Sequence, residues 1–273
     1  FDHGNPGVSG HTISRPESVY WWIGIAPNWI FRFHFHAGWP ADFCRPEGSQ
    51  MNIVFVLFDN VTQLDFAGPV QFLSRLPGAK THVVSKDGTS VSTDCRFSIV
   101  PSSSFADCPQ ADIICVPGGF GVREAIADAE IIDFVRTQAK AAQWITSVCT
   151  GSFILGAAGL LQGKRATTHW AYTQLLPLYG ATHEAARVVR DGNLVTAGGV
   201  TSGIDFALEL MALAQGEDVA RTIQLALEYD PAPPFAGGTP ATAPAPLVTG
   251  LRDRLYDRAA EEMGDAIRQS LIV

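Results

Sequence analysis

From residue 51 onward, short unbroken apolar runs alternate with longer stretches in which apolar residues recur every three or four positions. The run NIVFVLF (52–58) predicts a buried strand, and LDFAGPVQFLSRL (64–76) predicts the helix after it. Short strands are predicted at THVVS (81–85) and RFSIVP (96–101). ADIICVPGG (111–119) reads as a second buried strand ending in a glycine pair, with a helix over 129–142 behind it. QWITSVC (143–149) reads as a third, and TGSFILGAAGLL (150–161) as its helix. Continuous apolar strands alternating with helices imply a doubly wound α/β fold, with a mostly parallel sheet, helices on both faces and right-handed crossovers.

The units continue with a strand in RATTHW (165–170), a helix near 171–179, and two apolar runs around Asp191-Gly192-Asn193 that signal a hairpin. Amphipathic helices are predicted over 202–214 and 217–229, a Pro/Gly-rich surface segment over 230–246, and a last helix from Leu247. Residues 1–50 break the pattern: they hold four of the six Trp and no Lys, and the chain opens on Phe1 while Met51 leads straight into a strand. We read 1–50 as a non-native or disordered N-terminal extension, 51–235 as the α/β domain, and 236–273 as a Pro/Gly-rich segment with a C-terminal helix. The leader lacks the basic start and unbroken apolar core of a signal peptide, being interrupted at Pro27 and Asn28 and carrying Arg32.

Composition narrows the function classes. With 47% apolar and 17% charged residues the chain can bury a sizeable core. A formal net charge of −8 and the lack of any Lys/Arg block exclude the electrostatic footprint of a nucleic-acid or acidic-membrane binder. Five cysteines, with no C-x-x-C pair, are too sparse for a disulfide scaffold and fit a reducing, cytoplasmic setting. His34 and His36 share a strand face, but no carboxylate or thiol is placed to complete a metal site, so none is expected.

In an open parallel sheet, ligands bind at the carboxyl ends of the strands near a switch in strand order. Three features converge there. Asp65 enters the first helix, Gly118 and Gly119 offer backbone N–H groups that no Cβ shields, and Cys149 stands between strand and helix. That junction is a nucleophile elbow, and a helix N-terminus favours thiolate over thiol. Position alone leaves a second reading open, since free cysteine also packs as a small hydrophobe. The same test assigns Cys115, inside a buried run, to the core. Asp65 reads either as the helix N-cap or as a catalytic carboxylate. Thr150 reads as an early helix residue or as a hydroxyl bonded to thiolate or substrate. His169 reads as a structural histidine or as the partner of a Cys-His pair.

The blocks FVLFDNVTQLDFAGP, SFADCPQADIICVPGGFG, SVCTGSFILGAAGLLQGKRATTHW and VVRDGNLVTAGGVTSGIDFALEL, with LEYDPAPPF, resemble the PfpI-like branch of the class I glutamine amidotransferase-like superfamily. Within that branch the chain is most similar to the isocyanide (isonitrile) hydratase family, over about residues 52–235. The resemblance implies a flavodoxin-like single domain, a homodimer, no metal or organic cofactor, Cys149 as nucleophile and Asp65 approaching its thiol. PfpI peptidases carry His after the cysteine where this chain has Thr150, and deglycase relatives use Glu where it has Asp65. Both departures match hydration of an isocyanide by water. On that scheme the Cys149 thiolate adds to the terminal carbon and Asp65 as acid supplies the proton. Asp65 as carboxylate then activates water, Thr150 orients the thiolate or substrate nitrogen, and the N–H groups of Gly119 and Val200 stabilise charge. Rival readings are a regulator of the kind fused to DNA-binding segments, an oxidation sensor and a hydrolase of another small C–N compound. One final helix leaves no room for a pair of helix-turn-helix units.

Overall fold

The computed structural model describes residues 50–271, so the expectations on residues 1–49, Cys44, His34 and His36 among them, lie outside the described residues. The strands are β1 (Met51–Val56), β2 (Ala79–Ser85), β3 (Val91–Ser92), β4 (Ser98–Ile99), β5 (Ser103–Ser104), β6 (Ile113–Val116), β7 (Trp144–Val148), β8 (Arg165–Ala166), β9 (Thr182–His183), β10 (Val188–Asp191) and β11 (Leu194–Ala197). The helices are α1 (Gln63–Leu73), α2 (Val122–Ala125), α3 (Ala129–Ala139), α4 (Gly151–Ala157), α5 (Ser202–Gln215), α6 (Glu217–Ala226), α7 (Ala245–Leu251) and α8 (Asp257–Ser270).

Seven strands form the central sheet in the order β10-β11-β7-β6-β1-β2-β5. All neighbours are parallel except β10 and β11, the hairpin read from Asp191-Gly192-Asn193, where Gly192 takes φ 67°. Strand alternation divides the core into two layers. Val54, Val56, Ile114, Val116 and Ile145 pack on one side with residues of α3, α4 and α8. Ile53, Phe55, Ile113, Trp144 and Val148 pack on the other with residues of α1, α5 and α6. Each fully buried Leu, Ile or Phe in these layers contributes about 1.5–3 kcal/mol over its exposed state. The expected doubly wound architecture is the one observed.

From β1 the chain steps to β2 on one side, whereas β6 lies on the other. The strand order therefore reverses between β1 and β6, and a crevice opens at their carboxyl ends. Two close approaches shape it. A Cβ on Gly151 would fall 2.2 Å from the Val116 carbonyl, so glycine lets the start of α4 lie against the end of β6. A Cβ on Gly203 would lie 3.1 Å from the Pro69 ring, which lets α1 and α5 cross closely beside the site.

Some element boundaries differ from the expected ones. The 171–179 helix is a 3-10 helix, Thr173–Tyr179, containing Pro177, whose missing N–H and fixed φ suit the tighter turn. The last helix is three pieces: α7, a π-helical turn at Arg252–Tyr256, and α8. Ala260, Met263 and Ile267 of α8 are buried in the core layer that holds α3 and α4, so this tail packs on the α/β body. Among the described residues no helix is long and apolar enough to cross a membrane.

Candidate active site

The ends of β1, β6 and β7 bring Asp65, Gly118, Gly119, Cys149 and Thr150 together. Cys149 follows β7 directly and holds φ 56°, a left-handed conformation that a residue with a Cβ adopts only when its surroundings fix it. The fixing is visible. Its N–H donates to the carbonyls of Ala197 (3.0 Å) and Gly198 (2.8 Å), and its own carbonyl accepts from the hydroxyls of Thr168 (2.9 Å) and Ser152 (3.3 Å). A left-handed residue at a strand-to-helix junction is the elbow expected from the sequence.

Asp65 is not the N-cap of α1. Thr62 occupies that position and Asp65 lies in the first turn, where its N–H donates to the Thr62 carbonyl (3.1 Å). Its carboxyl is turned inward: Oδ2 accepts the Gly118 N–H at 3.0 Å, while Oδ1 is buried with no geometric hydrogen bond among the described residues. Asp65 is 1% exposed, and burial pushes its pKa up to about 7 against the downward pull of the Gly118 N–H and the Cys149 thiol, with Asp94 adding to the rise. A carboxyl with that pKa exchanges its proton near neutral pH, as acid-base catalysis requires.

The thiol departs from expectation. A helix N-terminus favours thiolate, yet burial and then the charge of Asp65 hold the Cys149 pKa well above its usual value, outweighing the Thr150 N–H and hydroxyl that bond the sulfur. Cys149 is 6% exposed and immediately precedes Thr150, the N-cap of the seven-residue α4. Burial and the Asp65 charge thus both act against the thiolate at Cys149.

The glycine pair also has a different part from the expected one. Gly118 donates its N–H to Asp65, and Gly119 donates its N–H to Thr150 Oγ1 at 3.1 Å. Both N–H groups are thus committed to holding the Asp65 and Thr150 side chains. Neither position admits a larger residue easily: a Cβ on Gly118 would sit 2.6 Å from the Thr150 nitrogen, and Gly119 has φ 142°. Since Thr150 Oγ1 accepts from Gly119, its proton is left for the Gly119 carbonyl (3.3 Å) or the Cys149 sulfur. Val200, half-buried in the turn before α5, has an N–H that donates to no group among the described residues.

His169 stands apart from this cluster. Its Nδ1 accepts the Ala171 N–H at 3.3 Å, its ring packs against Trp170, Tyr172 and Tyr256, and burial pushes its pKa down to about 4. A neutral, packed imidazole is the structural reading. Cys115 is likewise a core residue, 4% exposed, with burial raising its pKa to about 12 against a 3.2 Å hydrogen bond from Thr146. Sequence reasoning missed Thr168, Gly198 and the two tyrosines whose ionisation the Cys149 charge opposes, Tyr172 and Tyr256. The only signal for them was aromatic density in HWAY (169–172); Tyr256 carries none. Among the described residues no cluster of His, Cys, Asp and Glu could hold a metal ion.

The sheet order and the strained elbow define a flavodoxin-like α/β protein with a buried cysteine paired to a carboxyl. The chain belongs to the DJ-1/PfpI family, whose profile matches residues 51–213. It is similar to the isonitrile hydratase of Pseudomonas putida, 53% identical over 204 residues that make up 75% of this chain and 90% of that protein. It is also similar to the HTH-type transcriptional regulator GbdR of Pseudomonas aeruginosa, 28% identical over 66% of this chain but only 51% of the regulator. A solved THiJ/PfpI family protein from Pseudomonas syringae superposes with a TM-score of 0.78 at 37% identity, covering 86% of this chain and 98% of that one.

Proposed function

We propose that this protein hydrates isocyanides to N-substituted formamides, with Cys149 as the nucleophile. The observation that carries the reading is the buried thiol at a left-handed elbow beside a carboxyl whose pKa is about 7. The Pseudomonas putida isonitrile hydratase, similar over most of its length, supports it.

The proton inventory then differs from a preformed thiolate. With R–N≡C bound, the Asp65 carboxylate takes the thiol proton as Sγ bonds to the terminal carbon. Asp65 returns that proton to the same carbon, giving the thioimidate R–N=CH–S–Cys149. Asp65, ionised again, removes a proton from water as the oxygen adds to the imidate carbon, and the nitrogen is protonated. Collapse breaks the C–S bond, returns a proton to sulfur and releases R–NH–CHO. The balance is one isocyanide plus one water, with Asp65 carrying protons in both halves. Thr150 steers the sulfur, the N–H groups of Gly118 and Gly119 hold Asp65 and Thr150, and the Val200 N–H faces charge developing on the substrate. The reaction draws on no cofactor in this scheme.

The direct test is to incubate the protein with several aryl and alkyl isocyanides and follow formamide formation. No product from any of them sinks the hydratase reading. Thr150→Val should lower kcat about 100- to 1,000-fold, the range for losing one oriented donor, and Thr150→Ser should recover most of it. An unchanged kcat in Thr150→Val would remove Thr150 from the mechanism.

The reading also takes the protein as a cytoplasmic homodimer that binds neither nucleic acid nor membrane; four free cysteines among the described residues fit a reducing compartment. We place the catalytic domain at 51–235 and expect the segment 1–50 to be dispensable. Its deletion should leave kcat/KM and Tm unchanged, and a fall in either would make it part of the working protein.

A further inference from the structure

Beyond the family's profile, which ends at residue 213, the chain returns to the cysteine. The π-helical turn Arg252–Tyr256 sets Tyr256 against His169 (ring centroids 5.1 Å) and edge-on to Trp170 (5.1 Å), with Tyr172 at 6.1 Å. From the same turn Arg252 lies over the Trp170 ring at 5.3 Å. A π turn adds a residue to the helical ladder and re-aims the side chains it carries, and such turns concentrate at functional sites. Two side chains of this one grip a single aromatic group. The turn is anchored from behind, because α8 buries Ala260, Met263 and Ile267, and Ser270 meets the Tyr179 hydroxyl at 3.2 Å.

The aromatic group is built onto the nucleophile. The Thr168 hydroxyl holds the Cys149 carbonyl, and the next residues, His169 to Tyr172, supply three of the four rings. Gly199 follows Gly198, which accepts the Cys149 N–H, and a Cβ there would come within 2.9 Å of the His169 ring. Burial raises the Tyr172 and Tyr256 phenols above their ordinary range, with the Cys149 charge adding to the rise in both. The ring group is thus tied to the Cys149 backbone at both its carbonyl, through Thr168, and its N–H, through Gly198 and Gly199.

We infer that Trp170, Tyr172 and Tyr256 form the subsite for the substrate's R group, and that Tyr256, from the C-terminal turn, makes it prefer flat aromatic substituents over small alkyl ones. The inference rests on the hydratase reading for its substrate class. Ring faces and edges pack well on an aryl group and offer little to a methyl group. Tyr256 is therefore a specificity-determining residue, supplied from beyond the segment that the family profile matches.

The test compares wild type with Tyr256→Ala and Tyr256→Phe on phenyl and methyl isocyanide. In Tyr256→Ala the ratio of kcat/KM for phenyl over methyl should fall about 10-fold or more, mostly through KM for the phenyl substrate. Tyr256→Phe should restore the ratio to within about threefold, since the ring makes the contact. A ratio unmoved in Tyr256→Ala, or equal losses on both substrates, overturns the inference. A readout free of hydratase activity separates the two readings: the rates at which phenacyl bromide and iodoacetamide alkylate Cys149, followed by peptide mapping. The phenacyl-to-iodoacetamide ratio should drop about fivefold in Tyr256→Ala even if no isocyanide is turned over. An unchanged alkylation ratio rejects the subsite whatever the substrate.

Discussion

Cys149→Ala should hydrate no isocyanide, with turnover down at least about 10⁴-fold, because in the proposed mechanism the substitution removes the one atom that bonds the substrate carbon. The fold should survive. Cys149 contributes a small buried side chain to the layer holding Val148, Ala197 and Phe206, and removing one sulfur there costs about 1–2 kcal/mol. Alanine does not relieve the backbone, since at φ 56° it is as disfavoured as cysteine. Glycine does: Cys149→Gly should be equally inactive yet about 1 kcal/mol more stable than Cys149→Ala. The comparison therefore separates the two properties of the elbow, its strain and its nucleophile. Formamide release followed beside urea unfolding measures both. Full activity in either variant would end the covalent mechanism, and a Gly variant no more stable than the Ala one would mean that the turn stores no strain.

That strain explains how much of the site could be read from residues alone. The elbow was legible because a run of buried strand residues, WITSV, stops at Cys149 and small residues follow; a sharp turn needs that contrast. The sheet was legible for the same reason, since strands buried on both faces leave no polar alternation to confuse with a helix. Proton chemistry was not legible. The helix-terminus argument favoured thiolate, but burial of Cys149 and Asp65 belongs to the assembled crevice and reverses it. Asp65 reads either as a cap or as a catalytic carboxylate because local sequence shows only that a carboxylate precedes an apolar helix; that Gly118 N–H captures it depends on β6 lying beside β1. The tail was least legible of all. LVTGLRDRLYDRAAEEMGDAIRQSLI carries one helical pattern throughout, and its π turn arises where Arg252 and Tyr256 reach rings about 85 residues earlier in the chain. Contacts over that separation leave no local periodicity to detect.

Asp65→Asn should inactivate and stabilise the protein at once. An amide cannot take the thiol proton, so turnover should fall about 10³-fold or more at every pH. In the wild type, kcat/KM should rise as pH passes upward through about 7, the pKa of Asp65, because the ionised carboxylate is the form that accepts the proton. The thiol and carboxyl titrate as a coupled pair, so this limb belongs to the pair. The stability consequence has the opposite direction. The carboxyl's pKa is higher folded, about 7, than its usual 3.8, so its contribution to stability is fully present below about pH 4 and is lost as pH rises through 7. Above pH 8 the folded wild type holds a buried carboxylate whose support from the Gly118 N–H and the Cys149 thiol is outweighed by its burial. Asparagine removes the charge and keeps an oxygen for the Gly118 N–H. Asp65→Asn should therefore be more stable than wild type by about 2–4 kcal/mol at pH 8–9, with the difference closing as pH falls to 4. Urea unfolding at pH 4, 6 and 8.5, beside the rate profile, reads both effects. A variant less stable than wild type at pH 8.5 would mean that Asp65 is held in the charged state by its surroundings, and the proton shuttle would have to pass to another group.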